Sequence, residues 1–501
     1  MGDTAEGQDG DPTDSATKPE FEIVEIVPDG DILLDVTFET SKETLKAARK
    51  AAKPRPGQKI VPPVFKPRTR VGYRVQLAVL KQNSKYFDNL LSDTRFSEAR
   101  SIEASFQRLS LKNVKPSEAD AADLPLVKIL EDDEATRSAG QDSAFEDLLR
   151  ILHRKQSTSK AVTMQYLAVL AVLADRFDCI AIVSRYVNAL KYKWPTTQTR
   201  LSRDDGPALT RAAEETLRQK ILVSWLLDQP PKMHTATREL IMYGSRRWSV
   251  SFDEEEEEGN SAAWWDLPDD LESELHRRRE SILTTIASIQ RHFLHLYTSR
   301  TRQCKLGYES SASCDSYQLG EMVKFLSGRD LLFLAAADFS SSSSPQSSPA
   351  VTPPDYATVD IGHILATLKQ CPSYQIDKNH TNCGLRTRVL PILEFVQAML
   401  SSNVVSVSRQ AWAKDREGVS WCLSREEEEG GREAEEKKKK KKKKVFCFTR
   451  GMATDQRLRY EGAMAADRMA RALFTAGEWD WTPEDRDESR GAEFGRWPGA
   501  R

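Results

Sequence analysis

The sequence predicts an α+β protein, with a first region of short strands and helices followed by a mainly helical region. Three observations carry this expectation. Apolar segments of strand length, Ile32–Phe38, Tyr73–Val75 and Leu124–Leu130, punctuate the first part of the chain. Helical spacing then takes over, with one apolar stripe over Met164, Leu167, Ala168, Ala171 and Ala174 and another over Ile180, Val183, Val187 and Leu190. The most regular pattern runs from Leu271 to Tyr297, where Leu271, Leu275, Ile282, Ile286, Ile289, Phe293 and Leu296 recur at helical intervals.

Taken in order, residues 1–20 are acidic and polar and read as a disordered leader. Phe21–Val27 is a strand interrupted by glutamates, and Pro28-Asp29-Gly30 supplies turn chemistry before the strand Ile32–Phe38. The pair predicts a hairpin, or an edge strand waiting for a partner. Residues 42–70 hold ten Lys or Arg against one acid, together with Pro54, Pro56, Pro62, Pro63 and Pro67. Those prolines predict an extended basic loop. A short strand at Tyr73-Arg74-Val75 then runs directly into a helix whose Leu80, Phe87 and Leu91 share a face, with Leu77 and Ser84 between them. Leu124–Leu130 ends in the acidic turn Glu131-Asp132-Asp133-Glu134, and Phe145–Leu152 is helical. The two stripes between Met164 and Leu190 predict a helical hairpin joined near Asp175-Arg176-Phe177-Asp178, and Lys191–Pro207 reads as a linker.

The order of segments over residues 21–192, about a third of the chain, resembles a BTB/POZ domain of the divergent filamentous-fungal type. Asp35 sits where that family has an aspartate at the start of its core, beside the strand that ends at Val75. Ser84, Tyr86 and Phe87 match its Ser-x-Tyr-Phe helix segment, and Phe96 and Glu98 its Phe-x-Glu. Leu80 is the matching core position of the helix. The sequence departs from the family at Gln76 and Leu77, where His and then Lys are usual. The resemblance implies a BTB/POZ-like N-terminal domain, a short mixed sheet covered by helices, in which the basic segment 42–70 lengthens the connection between the first two core strands. It also implies a protein-binding role with no covalent chemistry, through homodimer or heterotypic BTB pairing, as an adaptor or scaffold. Two further readings stand: a substrate adaptor of a cullin-type ubiquitin ligase, which the resemblance permits, and a nuclear transcriptional or chromatin regulator that uses the basic segments.

Beyond the linker, residues 208–300 read as almost entirely helical, with Leu217, Ile221 and Trp225 on one face and Glu254–Glu258 as a solvated loop. By position this region resembles the BACK-type extension of adaptor proteins. Residues 301–402 bear cysteines and a histidine around a Ser/Pro-rich flexible insert at 335–354. Within them Leu385–Leu400 is helical, with Pro391 either in its first turn or kinking it. Residues 425–444 are low complexity, glutamate-rich and then eight consecutive lysines; 445–482 regain ordered composition, with Trp479 and Trp481 near the end. No internal repeats are visible.

Composition narrows the function classes. With 501 residues the chain exceeds one ordinary core and predicts two or three domains. A 39% apolar and 30% charged composition fits a globular body with solvated segments. The net charge of −2 hides local asymmetry and carries little information about partners. No secretory signal is visible, Glu6 occupies the position that myristoylation needs as Ser or Thr, and the longest apolar run, Ala161–Ala174, is too short to span a bilayer. Seven cysteines fit reduced thiols. The expected location is inside the cell, in nucleus or cytoplasm, with no membrane partner.

Cys304, Cys314, Cys371, His380 and Cys383 form the main group of residues with metal-ligand chemistry; His292 and His295, three apart on the long helix, read rather as a surface pair. Thiolate and imidazole are the ligands of tetrahedral zinc, and Cys383 follows His380 by three residues. The spacing matches no zinc module, and there are five candidates for four places. Two readings therefore stand: a structural zinc, or reduced cysteines buried as small apolar groups.

The basic segments read as solvated linkers or as nuclear import signals, the latter including Lys437, Lys440 and Lys444. Nucleic acid is not an expected partner, since no helix-turn-helix, finger spacing or interleaved aromatic residues accompany the charge. The sequence holds no phosphate-binding loop, Gly-x-Ser-x-Gly elbow or His-Glu-x-x-His, so no enzymatic activity is expected.

Overall fold

A computed structural model describes residues 21–52, 65–159, 162–197, 199–202, 206–249, 262–336, 356–380, 383–422, 445–454 and 463–482. The protein is α+β, with a small mixed sheet and many helices. It divides into two compact units: one running to Trp194 and including Ala263, the other starting at Pro195 and resuming at Trp264. The leader, the Glu254–Glu258 run, the Ser/Pro-rich insert from residue 337 and the Glu/Lys tract lie outside the described residues.

The first unit is built on four strands, β1 (Glu22–Glu25), β2 (Ile32–Glu39), β3 (Arg68–Val75) and β4 (Leu126–Asp132). Their order across the sheet is β1-β3-β2-β4. β2 and β3 are antiparallel, with Ile32 opposite Val75 and Asp35 opposite Gly72. β1 lies parallel to β3, and β4 parallel to β2. The expected β1–β2 hairpin does not form. The turn at Pro28–Gly30 instead lets β3 enter between the two strands, and Asp31 N–H donates to the Val75 carbonyl at 3.0 Å. β1 thus joins the sheet edge within its own chain. β2 is buried almost throughout, whereas β4 alternates exposed and buried residues as an edge strand packed on one face does.

Helices α1 (Lys42–Ala51), α2 (Leu77–Asn83), α3 (Lys85–Ser92), α4 (Ser97–Leu111), α5 (Gln141–Leu152), α6 (Met164–Arg176) and α7 (Ile180–Ala189) complete this unit. α1 corrects the expectation of a loop from residue 42. Its segment contains no proline, because the prolines begin at Pro54, and Ser41 caps it by accepting from Thr44 N–H. β3 begins only after Pro67. A chain of aromatic rings fastens helices to sheet: Phe145 meets Phe38 at 5.7 Å and Phe177 at 5.4 Å, and Phe177 stacks on Phe87 at 5.3 Å. Leu190, expected on the buried stripe of α7, is instead exposed at the end of the hairpin, while Val183 and Val187 are buried.

The second unit opens with a small antiparallel hairpin, β5 (Thr199–Ser202) with β6 (Gly206–Leu209), inside the segment expected to be a linker. Helices α8 (Arg211–Leu226), α9 (Pro230–Tyr243), α10 (Leu271–Thr298), α11 (Ser311–Ser327), α12 (Phe333–Ala336), α13 (Ile361–Leu368) and α14 (Leu385–Ser401) follow. Pro230 occupies the first turn of α9, where its missing N–H costs nothing, whereas Pro391 lies inside α14. Gly244 ends α9 at φ +82°, and a Cβ there would collide with the Ala357 carbonyl oxygen. One continuous core runs from Leu209 to Trp481. The C-terminal segment belongs to it: β7 (Val445–Cys447) pairs parallel with β8 (Glu478–Asp480), and Trp481 is buried against Phe446 and Phe448.

α10 spans 28 residues and is buried on more than one face, which is why charged residues interrupt its apolar stripe and yet lie inside. Arg278 donates to Glu274 at 2.6 Å and to the carbonyls of Val405 and Ser406. Arg279 donates to the carbonyls of Ile241, Met242, Tyr356 and Val359. Glu272 forms a bidentate pair with Arg218 of α8, both bonds 2.8 Å, and Arg218 also reaches Glu214 and Ser245. Among the described residues no single helix is long and apolar enough to cross a membrane.

Two predictions follow from these buried charges. Arg218→Met leaves Glu214, which is 0% exposed, without its cation; urea unfolding should lose about 3–5 kcal/mol, and a loss below about 1 kcal/mol would contradict the pairing. In the first unit, burial raises the Glu131 carboxyl to about 7 against the opposing pull of the Arg176 guanidinium at 3.2 Å. The folded state therefore holds this proton more tightly than the unfolded chain. Its stabilising effect is full below the unfolded value and is lost as pH rises through about 7. Glu131→Gln should raise stability at pH 8 by on the order of 2 kcal/mol and leave it nearly unchanged at pH 4. Equal shifts at both pH values would count against this.

Candidate metal centre

Three segments that are distant in sequence meet beyond the end of α10. The loop after that helix brings Cys304, the first turn of α11 brings Cys314, and the approach to α14 brings Cys383. Their sulfurs all lie within 4.8 Å of one another, and those of Cys314 and Cys383 are 3.6 Å apart. Two thiolates on one tetrahedral zinc at ~2.3 Å stand about 3.8 Å apart, so the spacing suits a shared ion. The structure therefore brings together a largely buried thiol group that could hold a metal.

Local sequence explains the convergence. Asp315, next to Cys314, accepts from the backbone N–H groups of Gln303 at 2.7 Å and Cys304 at 3.0 Å, clamping the incoming loop to the start of α11. Gly307 makes the intervening turn at φ +78°. Gln318 in α11 donates to the Tyr374 carbonyl and accepts from Leu385 N–H, which fixes the Cys383 segment.

His380 borders the group. It is fully buried; Asp377 accepts from its Nδ1 at 2.8 Å, and its Nε2 lies 3.3 Å from Ser311 Oγ. Asp377 is in turn held by the Ser310 hydroxyl at 2.5 Å and the Asn379 N–H at 2.8 Å. Those bonds, from Ser310 first and then His380, bring the Asp377 carboxyl down to about 2. The hydrogen bond to Asp377 raises the imidazole. Burial opposes ionisation of Cys304, yet hydrogen bonds from the Ser311 hydroxyl, the Leu306 N–H, Cys383 and Cys314 outweigh it and bring this thiol down to about 7. Burial pushes Cys314 and Cys383 up; both sulfur neighbours add to this for Cys314, whereas for Cys383 the sulfur of Cys304 adds to it and that of Cys314 opposes it.

Cys371 does not belong to the group. It follows α13 directly, its sulfur rests against the Pro372 carbonyl at 3.7 Å, and burial raises its thiol. Here the reading of a reduced cysteine buried as a small apolar group applies. Asp377, Ser310 and Ser311 were not anticipated; the i,i+3 spacing of Asp377 and His380 was the available signal.

The motif residues of the first unit lie in its core and at its helix starts. Asp35, 3% exposed, accepts a bidentate pair from Arg70 at 2.7 Å. Val75 and Leu80 are buried. Ser84 breaks what was expected as one helix: it is extended, accepts from Phe87 N–H to cap α3, and donates to the Phe177 carbonyl at 2.6 Å. Phe87 is buried, while Tyr86 is 38% exposed with its ring edge on Phe177. Gln76 precedes α2, its N–H donating to His153 Nε2 at 3.2 Å and its side chain to Asp29 at 2.8 Å. Phe96 is exposed ahead of α4, and Glu98 lies in that helix's first turn. Lys437, Lys440 and Lys444 lie outside the described residues.

Comparison of the chain with protein-family models, with curated proteins and with solved structures finds no match.

Proposed function

We propose that the chain is a protein-interaction adaptor or scaffold acting through a BTB/POZ-like first unit. The observation that carries this is the succession of elements in that unit. An antiparallel strand pair leads straight into two short helices, a third strand returns parallel to the first of the pair, and a helical hairpin closes the unit. The strand that runs into helix and the closing helical hairpin support the resemblance read at Asp35, Ser84, Phe87 and Glu98, and Phe87 packs buried against Phe177 of the hairpin. An open groove of about 510 Å³ lies beside α4, lined by Leu91, Ala99 and Ile102 and edged by Lys81 and Glu103. No catalytic role is proposed.

In the second unit we propose that Cys304, Cys314 and Cys383 hold zinc as a structural ion. Soft thiolates favour zinc over the oxygen-seeking divalent cations, and an ion here would tie the end of α10 to α11 and α14.

One preparation of the full chain tests both readings by light scattering with metal analysis. The expected result is a mass above the 56.5 kDa monomer, as a homodimer or with a co-purifying protein, and about one zinc per chain. A lone monomer at all micromolar concentrations would contradict the first reading, and a metal-free chain the second.

A further inference from the structure

We infer that His380 is the fourth zinc ligand, through Nε2, and that Asp377 is the residue that positions it, giving a closed Cys304/Cys314/Cys383/His380 site. The inference rests on the reading that the three thiols hold zinc.

Three thiolates leave one of four tetrahedral positions to fill. Asp315 is already committed, both carboxylate oxygens accepting from backbone N–H groups. Cys371 is turned to the Pro372 carbonyl. His380 alone combines full burial with a ring nitrogen aimed at the group: Nε2 faces Ser311, whose hydroxyl also bonds Cys304. Nδ1 is bound to Asp377, so the ring is oriented by a carboxylate on the side away from the thiols. Ligating histidines carry such a partner, which fixes the tautomer and leaves the other nitrogen for the metal. Tyr308 packs edge-on against the imidazole at 5.8 Å and restricts its rotation. His380 stands just outside the tight thiol group, so binding draws Nε2 from Ser311 onto the ion, and the thiols and imidazole release any protons they hold to solvent. With four protein ligands no position is left for water, which makes the ion structural.

The test uses the full chain with its metal exchanged for cobalt, together with zinc affinity by chelator competition. Wild type should show tetrahedral cobalt bands with thiolate charge transfer. His380→Ala should weaken zinc binding by 100-fold or more, and His380→Cys should restore tight binding with the cobalt bands shifted toward an all-sulfur site. Asp377→Asn should weaken binding about 10- to 100-fold with the bands unmoved. Cys371→Ser should change nothing. A His380→Ala protein that keeps wild-type affinity and an unshifted cobalt spectrum would overturn the fourth-ligand assignment and leave the thiol site standing. A wild-type chain that binds neither metal would overturn both.

Discussion

The second unit depends on one constraint: a charge taken out of water must be held by hydrogen bonds or an opposite charge. α10 lies inside the core and carries Glu274, Arg278 and Arg279 with it. Each guanidinium pays for its burial by holding a neighbouring segment in place. Arg279 grips the last carbonyls of α9 together with those of Tyr356 and Val359, and Gly244 allows the chain to turn beneath that grip. Arg278 and Glu274 together bind the carbonyls of Val405 and Ser406 and the N–H of Trp421. Apolar packing alone does not fix where a loop sits. Hydrogen bonds from buried arginines do, because any displacement leaves a charge unpaired.

The same constraint governs the far end of α10. Asp377, His380, Ser310 and Ser311 satisfy one another, whereas Cys314 and Cys383 meet sulfur against sulfur at 3.6 Å in a largely buried space, with Cys304 beside them. An ion bonded to all three sulfurs supplies what a thiol cannot, a strong bond in the absence of water. It would fasten three segments, among them the one that carries the polar stretch Asp377–His380. The first unit is held differently, by rings passing from Phe38 through Phe145 and Phe177 to Phe87, with Ser84 closing the break between α2 and α3.

Much of this was legible where periodicity is strong. The strand Ile32–Phe38, the hairpin α6–α7 and the long helix α10 all follow from apolar spacing. α1 was obscured by the prolines downstream of it, although Lys42–Ala51 itself is free of them. α4 escaped because its buried residues, Ala99, Ile102, Ser105 and Leu109, are few and partly polar. The pairing of β5 with β6, and the entry of β3 between β1 and β2, are choices of partner that strand composition does not encode. The burial of charges on α10 was not legible, because sequence does not show that the helix is surrounded. The cysteines and His380 were legible as a ligand pool from their chemistry. Which of them converge was not, since Cys371 differs from Cys304 only in where its segment lies.

In the proposal above, a metal ion bound by residues from three distant segments completes the second unit. X-ray absorption at the zinc edge of the full-length protein tests it most directly. About three sulfur neighbours at ~2.3 Å and one nitrogen at ~2.0–2.1 Å are expected. Zinc in an oxygen-dominated shell, or no zinc in the purified chain, would contradict it.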